Sequence, residues 1–273
     1  MSAIFQRHAL LTNYVEQPVE LSLLLAGTLA AKIEPSDALQ VVALDSPMLL
    51  LRDAHIISFA AAFKQVTATQ IRAVIFDGLS RVPMDRRLKS LCDRDFLAVM
   101  KRRAGSGERG GAGAKVYQLG PLGWVYADKH GAYRPSIAVN HHSLAVADSF
   151  MAIVEAHKAG QLQLLEGGYL EYKVGSAVAD MYVNLGIPAI GKRRSFYLEI
   201  EATRKRPHHV LDKCDKYSAA WRSSSDDHFA KVLFVAPDEW VEAELRRVIA
   251  RHKDKELFQT TTMGKLISDL IRP

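Results

Sequence analysis

Residues 80–94 read SRVPMDRRLKSLCDR, a stretch whose two sides differ when it is wound as a helix. Ser80 is a good N-cap, because its hydroxyl can accept from an N–H that the first helical turn leaves without a partner. Val82, Leu88 and Leu91 supply an apolar stripe, while Arg81, Arg86, Arg87 and Lys89 fall on the other face. The pattern predicts a helix over Arg81 to Arg94. Upstream, Ile56, Phe59, Ala60 and Phe63 recur at helical spacing between Asp53 and Val66. A second helix, capped by Thr67 or Thr69 and running through Phe76, carries Ile71, Val74 and Ile75. Asp77-Gly78-Leu79 makes the turn into the third. The spacing is helix-turn-helix geometry, with Arg81 to Arg94 in the place of the recognition helix.

Phe96 to Arg103 then reads as a strand, residues 104–114 as a loop with five glycines, and Lys115 to Leu119 as the returning strand. Such a hairpin is a wing. It offers Arg102, Arg103, Arg109 and Lys115 to phosphates or to the minor groove. Pro121 to Asp128 reads as a helix packed behind it. Together these elements predict a winged-helix domain over residues 51–135 with double-stranded DNA as its partner, Arg86, Arg87 and Lys89 reaching for the major groove beside Arg81. A winged helix used only for protein contacts is the alternative reading.

The charge distribution points the same way. The chain has 273 residues and a formal net charge of +6. Residues 1–50 sum to −3, residues 51–135 to +8 and residues 136–273 to +1. Most of the excess lies between Ser80 and Lys115, where ten Lys/Arg face Asp85, Asp93, Asp95 and Glu108. A basic patch focused in this way is the electrostatic footprint of a polyanion.

Hydrophobic residues at 48% and charged residues at 24% describe an ordinary folded chain. Cys92 and Cys214 lie far apart with no CxxC, which excludes a disulfide framework and a cysteine zinc site and predicts a reducing, cytoplasmic setting. The longest apolar run, Leu21 to Ala31, is well short of the ~20 residues that span a bilayer. Glu16 and Glu20 stand where a signal peptide would be basic, so neither membrane nor export is expected. Residues 1–50 are expected to form a helical cap, its Leu21, Leu24, Leu25 and Thr28 face packing on the basic domain or on a second protomer in a homodimer. No GxxxxGK[ST] occurs, the GxGxxG spelled by residues 105–110 lies in the glycine-rich loop without the strand-loop-helix context of a phosphate cradle, and no small-molecule substrate is evident. The adjacent pairs His141-His142 and His208-His209 point apart and are poor shared ligands.

From residue 136 the pattern changes to that of a second, α/β domain. Val139 to Ala159 is a long helix with Leu144, Ala147, Phe150, Met151 and Val154 inward. Strands are expected at Tyr169 to Val174, Ala177 to Leu185, Ser195 to Ala202, Phe229 to Val235 and Leu257 to Thr262, with helices at Pro207 to Arg222 and Asp238 to His252. The order αβββαβαβ contains the αβββαβ core of restriction-endonuclease-like folds, so the fold class is α/β of the α+β kind. Alternation in Ser195 to Ala202 puts Tyr197, Glu199 and Glu201 on one face. Either that face meets solvent, or Glu199 and the upstream Asp180 hold Mg2+ or Mn2+ through oxygen, with Glu155 available to complete the shell. Glu201 would add a ligand or orient water, and Lys213 or Lys216, one helical turn apart, would offset phosphate charge.

The winged-helix pattern, the helix NHHSLAVADSF, the strand FYLEIEATRK, the helix LDKCDKYSAAWR and the strand KVLFVAP together resemble the replication-relaxation proteins of plasmids and other mobile elements, over about residues 52–250. The resemblance implies a winged-helix DNA-binding half and a half similar to the PD-(D/E)xK nucleases. It puts the acidic strand motif at Glu199 and Glu201, the upstream aspartate at Asp180, and the downstream lysine and tyrosine at Lys216 and Tyr217. Two departures bear on catalysis: Ala179 replaces a proline, and Glu201 stands where active members carry a lysine. Without that lysine the attacking water and the phosphate lose their positioning cation, unless Lys213 or Lys216 supplies it. The expected role is DNA binding in replication, mobilisation or maintenance of a mobile element. A metal-dependent DNA endonuclease, and a repressor whose C-terminal domain oligomerises, are the other two readings.

Overall fold

The computed structural model describes residues 49, 51–100, 113–202, 207–225 and 228–272. The cap expected over residues 1–50, Leu49 apart, and Arg102, Arg103 and Arg109, expected on a wing, lie outside the described residues. The fold is mixed α+β with two sheets. Contacts divide the chain into two units, Met1–Ala147 and Asp148–Pro273.

In the first unit, helix α1 (Leu51–Phe63) is apolar on most sides, so it is buried on most sides: Ile56, Ile57, Phe59 and Ala60 are fully enclosed. Lys64 takes a left-handed φ of 65° and turns the chain into β1 (Gln65–Thr67), a strand too short for periodicity to reveal. Thr67 then caps α2 (Ala68–Ile75) with a full capping box. Its hydroxyl accepts from the Gln70 N–H at 3.1 Å, and the Gln70 carboxamide oxygen accepts from the Thr67 N–H at 2.8 Å. Gly78 supplies the positive φ of 72° that the turn before α3 (Arg81–Asp93) needs.

The inward stripe of α3 is Met84, Leu88 and Leu91, one turn apart each. Val82, expected in that stripe, is 54% exposed, because it sits in the first turn before the helix meets the core. β2 (Leu97–Val99) pairs antiparallel with β3 (Val116–Leu119), and β3 pairs on its other edge with β1, giving the order β1-β3-β2. Helix α4 (Pro121–Tyr126) packs tightly onto the backbone after α3. A Cβ at Gly120 would lie 2.2 Å from the Asp95 carbonyl oxygen, and one at Gly123 would lie 2.0 Å from that of Phe96. The segment after residue 135 is tied to this unit by glutamines. Gln118 bonds both to the Ser136 carbonyl and to its N–H, Gln65 to the Ala138 carbonyl and the Asn140 N–H, and Gln70 to the Leu144 carbonyl.

Helix α5 (His141–Lys158) carries the division between the units. The second unit is a five-stranded sheet in the order β4-β5-β6-β7-β8. β4 (Gln163–Val174), β5 (Ala177–Ile187) and β6 (Lys192–Ile200) form an antiparallel meander, and β7 (Lys231–Ala236) and β8 (Phe258–Thr262) add in parallel. Parallel neighbours require crossovers, supplied by α6 (Pro207–Ser223) and α7 (Glu239–Ile249). A short α8 (Leu266–Ile271) follows β8. β7, flanked on both edges, is buried at every position after Lys231. Its Val232, Phe234 and Ala236 meet Cys214 and Tyr217 of α6 and Val241, Leu245 and Ile249 of α7 in one core. β4 begins six residues earlier than its apolar run suggests. Gly167-Gly168 reads as a break, yet Gly168 adopts φ 70° at a bulge inside the ladder and pairing resumes beyond it.

Candidate functional site

Two clusters of charge arise from this scaffold, one in each unit. In the first, the outward side of α3 presents Arg81, Arg86 and Lys89, all exposed. Arg81 pairs with Asp85 at 3.1 Å and Lys89 with Asp93 at 2.5 Å, each four residues along the same helix and open to water. Beside the helix lies a groove of about 890 Å³ whose walls include Arg72, Arg81, Lys89 and Lys115 against Asp85. Arg72, one turn inside α2, is a contributor that the sequence reading did not single out.

Arg87 behaves differently from its neighbour. Its guanidinium turns inward and forms a two-pronged pair with Asp53 of α1, Nε donating to Oδ1 at 2.8 Å and an Nη to Oδ2. Asp53 is fully buried. A charge without access to water needs a hydrogen-bonded counter-ion, so Arg87 serves the α1–α3 packing and leaves the groove-facing set. No local signal could have revealed this pairing, because the partners are separated by 34 positions.

The second cluster is built on β6 and α6. Glu199 and Glu201 are 1% and 2% exposed, so the strand face that could have met solvent is instead covered by α6. Tyr217 of α6 donates to one Glu199 oxygen at 2.6 Å, and Lys213 donates to the other. The same ammonium lies 3.6 Å from Glu201. Lys213 and Tyr217 are four apart, hence on one helical face, and that spacing is the signal that selects Lys213 over Lys216. Lys216 is not brought to the cluster: it is largely exposed and pairs with Asp212 at 2.7 Å. Asp180 stands one residue beyond the paired position Met181↔Leu198 and accepts the Ile200 N–H at 2.7 Å. Glu155 is exposed on α5.

Burial pushes the Glu199 carboxyl above the ordinary carboxylate range; Lys213 and Tyr217 pull against that shift and the Asp180 charge adds to it. Burial alone would lower the Lys213 pKa, but Glu199, Glu201 and Asp180 outweigh it and hold the ammonium protonated. Burial likewise raises the Tyr217 phenol, with the Glu199 charge reinforcing it, so Tyr217 stays a donor. Cys214, between them on α6, has no exposure, and burial followed by the charges of Asp215 and Glu199 pushes its thiol up to about 12.

Divalent metal needs carboxylate oxygens turned together and free to coordinate. Here Lys213 and Tyr217 engage both Glu199 oxygens and a backbone amide engages Asp180. Among the described residues no three acidic, His or Cys side chains gather in a way that could hold a metal. The side chains as arranged therefore do not fit Mg2+ or Mn2+, and the cation between the two glutamates is Lys213. Among the described residues, moreover, no helix is long and apolar enough to cross a membrane.

No curated protein and no solved structure matches the chain. The family model described as replication-relaxation does match it, over residues 59–246, a span that takes in α3, the β2–β3 pair, Asp180, Glu199 and α6. Covering more than half of the sequence, the match shows that the chain belongs to the replication-relaxation family.

Proposed function

We propose that the chain is a DNA-binding protein acting in replication, mobilisation or maintenance of a plasmid or other mobile element, and that its first unit is a winged helix gripping duplex DNA. The observation that carries this reading is the exposed cationic side of α3, where Arg81, Arg86 and Lys89 stand clear of the core beside a groove that adds Arg72 and Lys115. The connectivity helix, strand, helix, helix, hairpin supports it, since a third helix so placed can enter the major groove while the hairpin lies along the backbone. The exposed pairs Arg81–Asp85 and Lys89–Asp93 contribute at most ~1 kcal/mol each, so phosphates can draw those cations away at little cost. Every phosphate so neutralised releases counter-ions, which makes affinity fall with salt.

In the second unit, a metal-dependent cleavage step would require Mg2+ or Mn2+ to displace Lys213 from between two buried glutamates. We therefore read that cluster as a structural brace, and the unit as a nuclease-like scaffold put to other use.

Fluorescence anisotropy of the full chain on labelled duplex DNA, across a salt series, tests the α3 assignment. Arg81→Ala with Arg86→Ala is expected to weaken duplex binding at least tenfold and to lower the salt slope by about 1 per lost phosphate contact. Arg87 is left intact, because its loss acts through folding. Unchanged affinity and slope in that double variant would overturn the reading.

A further inference from the structure

The second unit has a cationic cleft that the DNA-binding reading above does not use. It measures about 1070 Å³, and its walls include the start of β6, the start of β7, α8 and Arg272 beyond it. Arg193, Arg194, Lys231, Arg246 and Arg272 line it, against Asp269 as the acidic side chain of the wall. Periodicity could not have found this set, since the cations lie on three separate elements and after a fourth.

How these cations are held decides what they can do. Arg194 donates to the Arg272 carbonyl, and Lys231 donates to the Glu256 carbonyl at 2.9 Å. A carbonyl positions a cation without cancelling its charge, so both remain net positive and aimed. Arg193 and Arg272 have exposed side chains. Arg246 shares its charge with Glu242 at 2.5 Å, and Asp269 is occupied by the Thr261 hydroxyl at 2.6 Å. The cleft is therefore a net positive surface with pre-positioned donors, which suits a run of phosphates.

Two aromatics complete the wall. Trp221, near the end of α6, is 37% exposed although large and apolar, and the half-buried Phe229 also belongs to the lining. Exposed aromatic faces interleaved with cations are what unpaired bases require: backbone charge is neutralised while a base stacks on a ring. Paired bases in a duplex present no free face to Trp221. We propose that this cleft binds single-stranded nucleic acid, its phosphates on Arg193, Arg194, Lys231 and Arg272 and a base on Trp221.

The test uses the full chain, a labelled dT15 strand, a 20-base-pair duplex and inorganic polyphosphate of similar charge, at matched ionic strength. Arg193→Glu with Arg272→Glu alters only exposed side chains; it is expected to weaken dT15 at least tenfold and duplex less than twofold. Trp221→Ala is expected to weaken dT15 about fivefold or more while leaving polyphosphate binding unchanged. Thermal melts of each variant matching the parent exclude unfolding as the cause. If the double variant holds dT15 within twofold, the proposal fails. It fails too if Trp221→Ala weakens dT15 and polyphosphate alike or neither, since the ligand would then be a bare phosphate chain. Loss of dT15 binding on Arg81→Ala with Arg86→Ala, and not on the cleft changes, would move single-strand binding to the first unit and overturn the proposal. Failure of the α3 reading shows instead as duplex binding indifferent to Arg81 and Arg86, so the two are told apart.

Discussion

The outer side of α3 and the β6–α6 cluster hold similar numbers of charges and use them in opposite ways. On α3, Arg81 and Lys89 face acids one turn away, in water, where partners can be exchanged. In the second unit, Glu199 and Glu201 are enclosed and their cation is held between them. Exposure, rather than the residue types, separates charge that can serve a ligand from charge that holds the fold. Arg86 and Arg87 repeat this contrast on adjacent residues, one exposed and one locked to Asp53.

The sharpest way to break the comparison is Lys213→Ala. It would leave two glutamates enclosed without their ammonium, and loss of one partner of a buried pair costs about 3–5 kcal/mol. Urea unfolding of the full chain should show that loss; a change below ~1 kcal/mol would mean that the cluster is not a brace. Arg87→Ala sharpens the contrast inside one helix. Uncovering Asp53 should lower stability by roughly 3 kcal/mol, whereas Arg86→Ala, at an exposed position, should stay within about 0.5 kcal/mol. Equal effects at the two positions, read by the same unfolding curves, would erase the distinction between them.

Acid supplies the smallest test. Hydrogen bonding to Arg222 holds the Asp254 carboxyl below its usual 3.8, and hydrogen bonding to Arg246 holds Glu242 below its usual 4.5. A lowered folded value stabilises above the unfolded one and is lost as pH falls through the folded one. Melting temperature of the second unit should therefore drop as pH falls below about 4. Arg222→Gln should flatten that drop, and an unchanged profile would detach Asp254 from stability. Lys213, raised instead, keeps its contribution up to and beyond pH 10.5, on the alkaline side.

Much of this architecture was legible because it is local. Leu88 and Leu91 of α3 and the alternation of β6 recur within a few residues, where periodicity reads them directly, and the residue type at a helix start narrowed the cap of α2 to Thr67 or Thr69. Glu199 and Glu201 could be placed on one strand face, but whether water or a helix lay over them depended on α6. The choice of Lys213 over Lys216 was encoded by its four-residue spacing from Tyr217, once Tyr217 was known to face the sheet. Asp53 with Arg87, and Arg194 with the carbonyl of Arg272, are partners that only the folded chain brings together. The start of β4 at Gln163 rather than Tyr169 has a different cause: a glycine that ends many strands, Gly168, here bends one without ending it.

Cys214 lends the second unit a clock. A thiolate is the species that attacks an alkylating or disulfide reagent, and a thiol enclosed on α6 and pushed up to about 12 supplies almost none at neutral pH. Its labelling must wait until α6 lifts from the sheet, so the rate counts those openings. Cys92, only partly buried on α3, reacts on a different schedule. Labelling at Cys214 thus reports how often the second unit breathes, with the more accessible Cys92 as the internal reference.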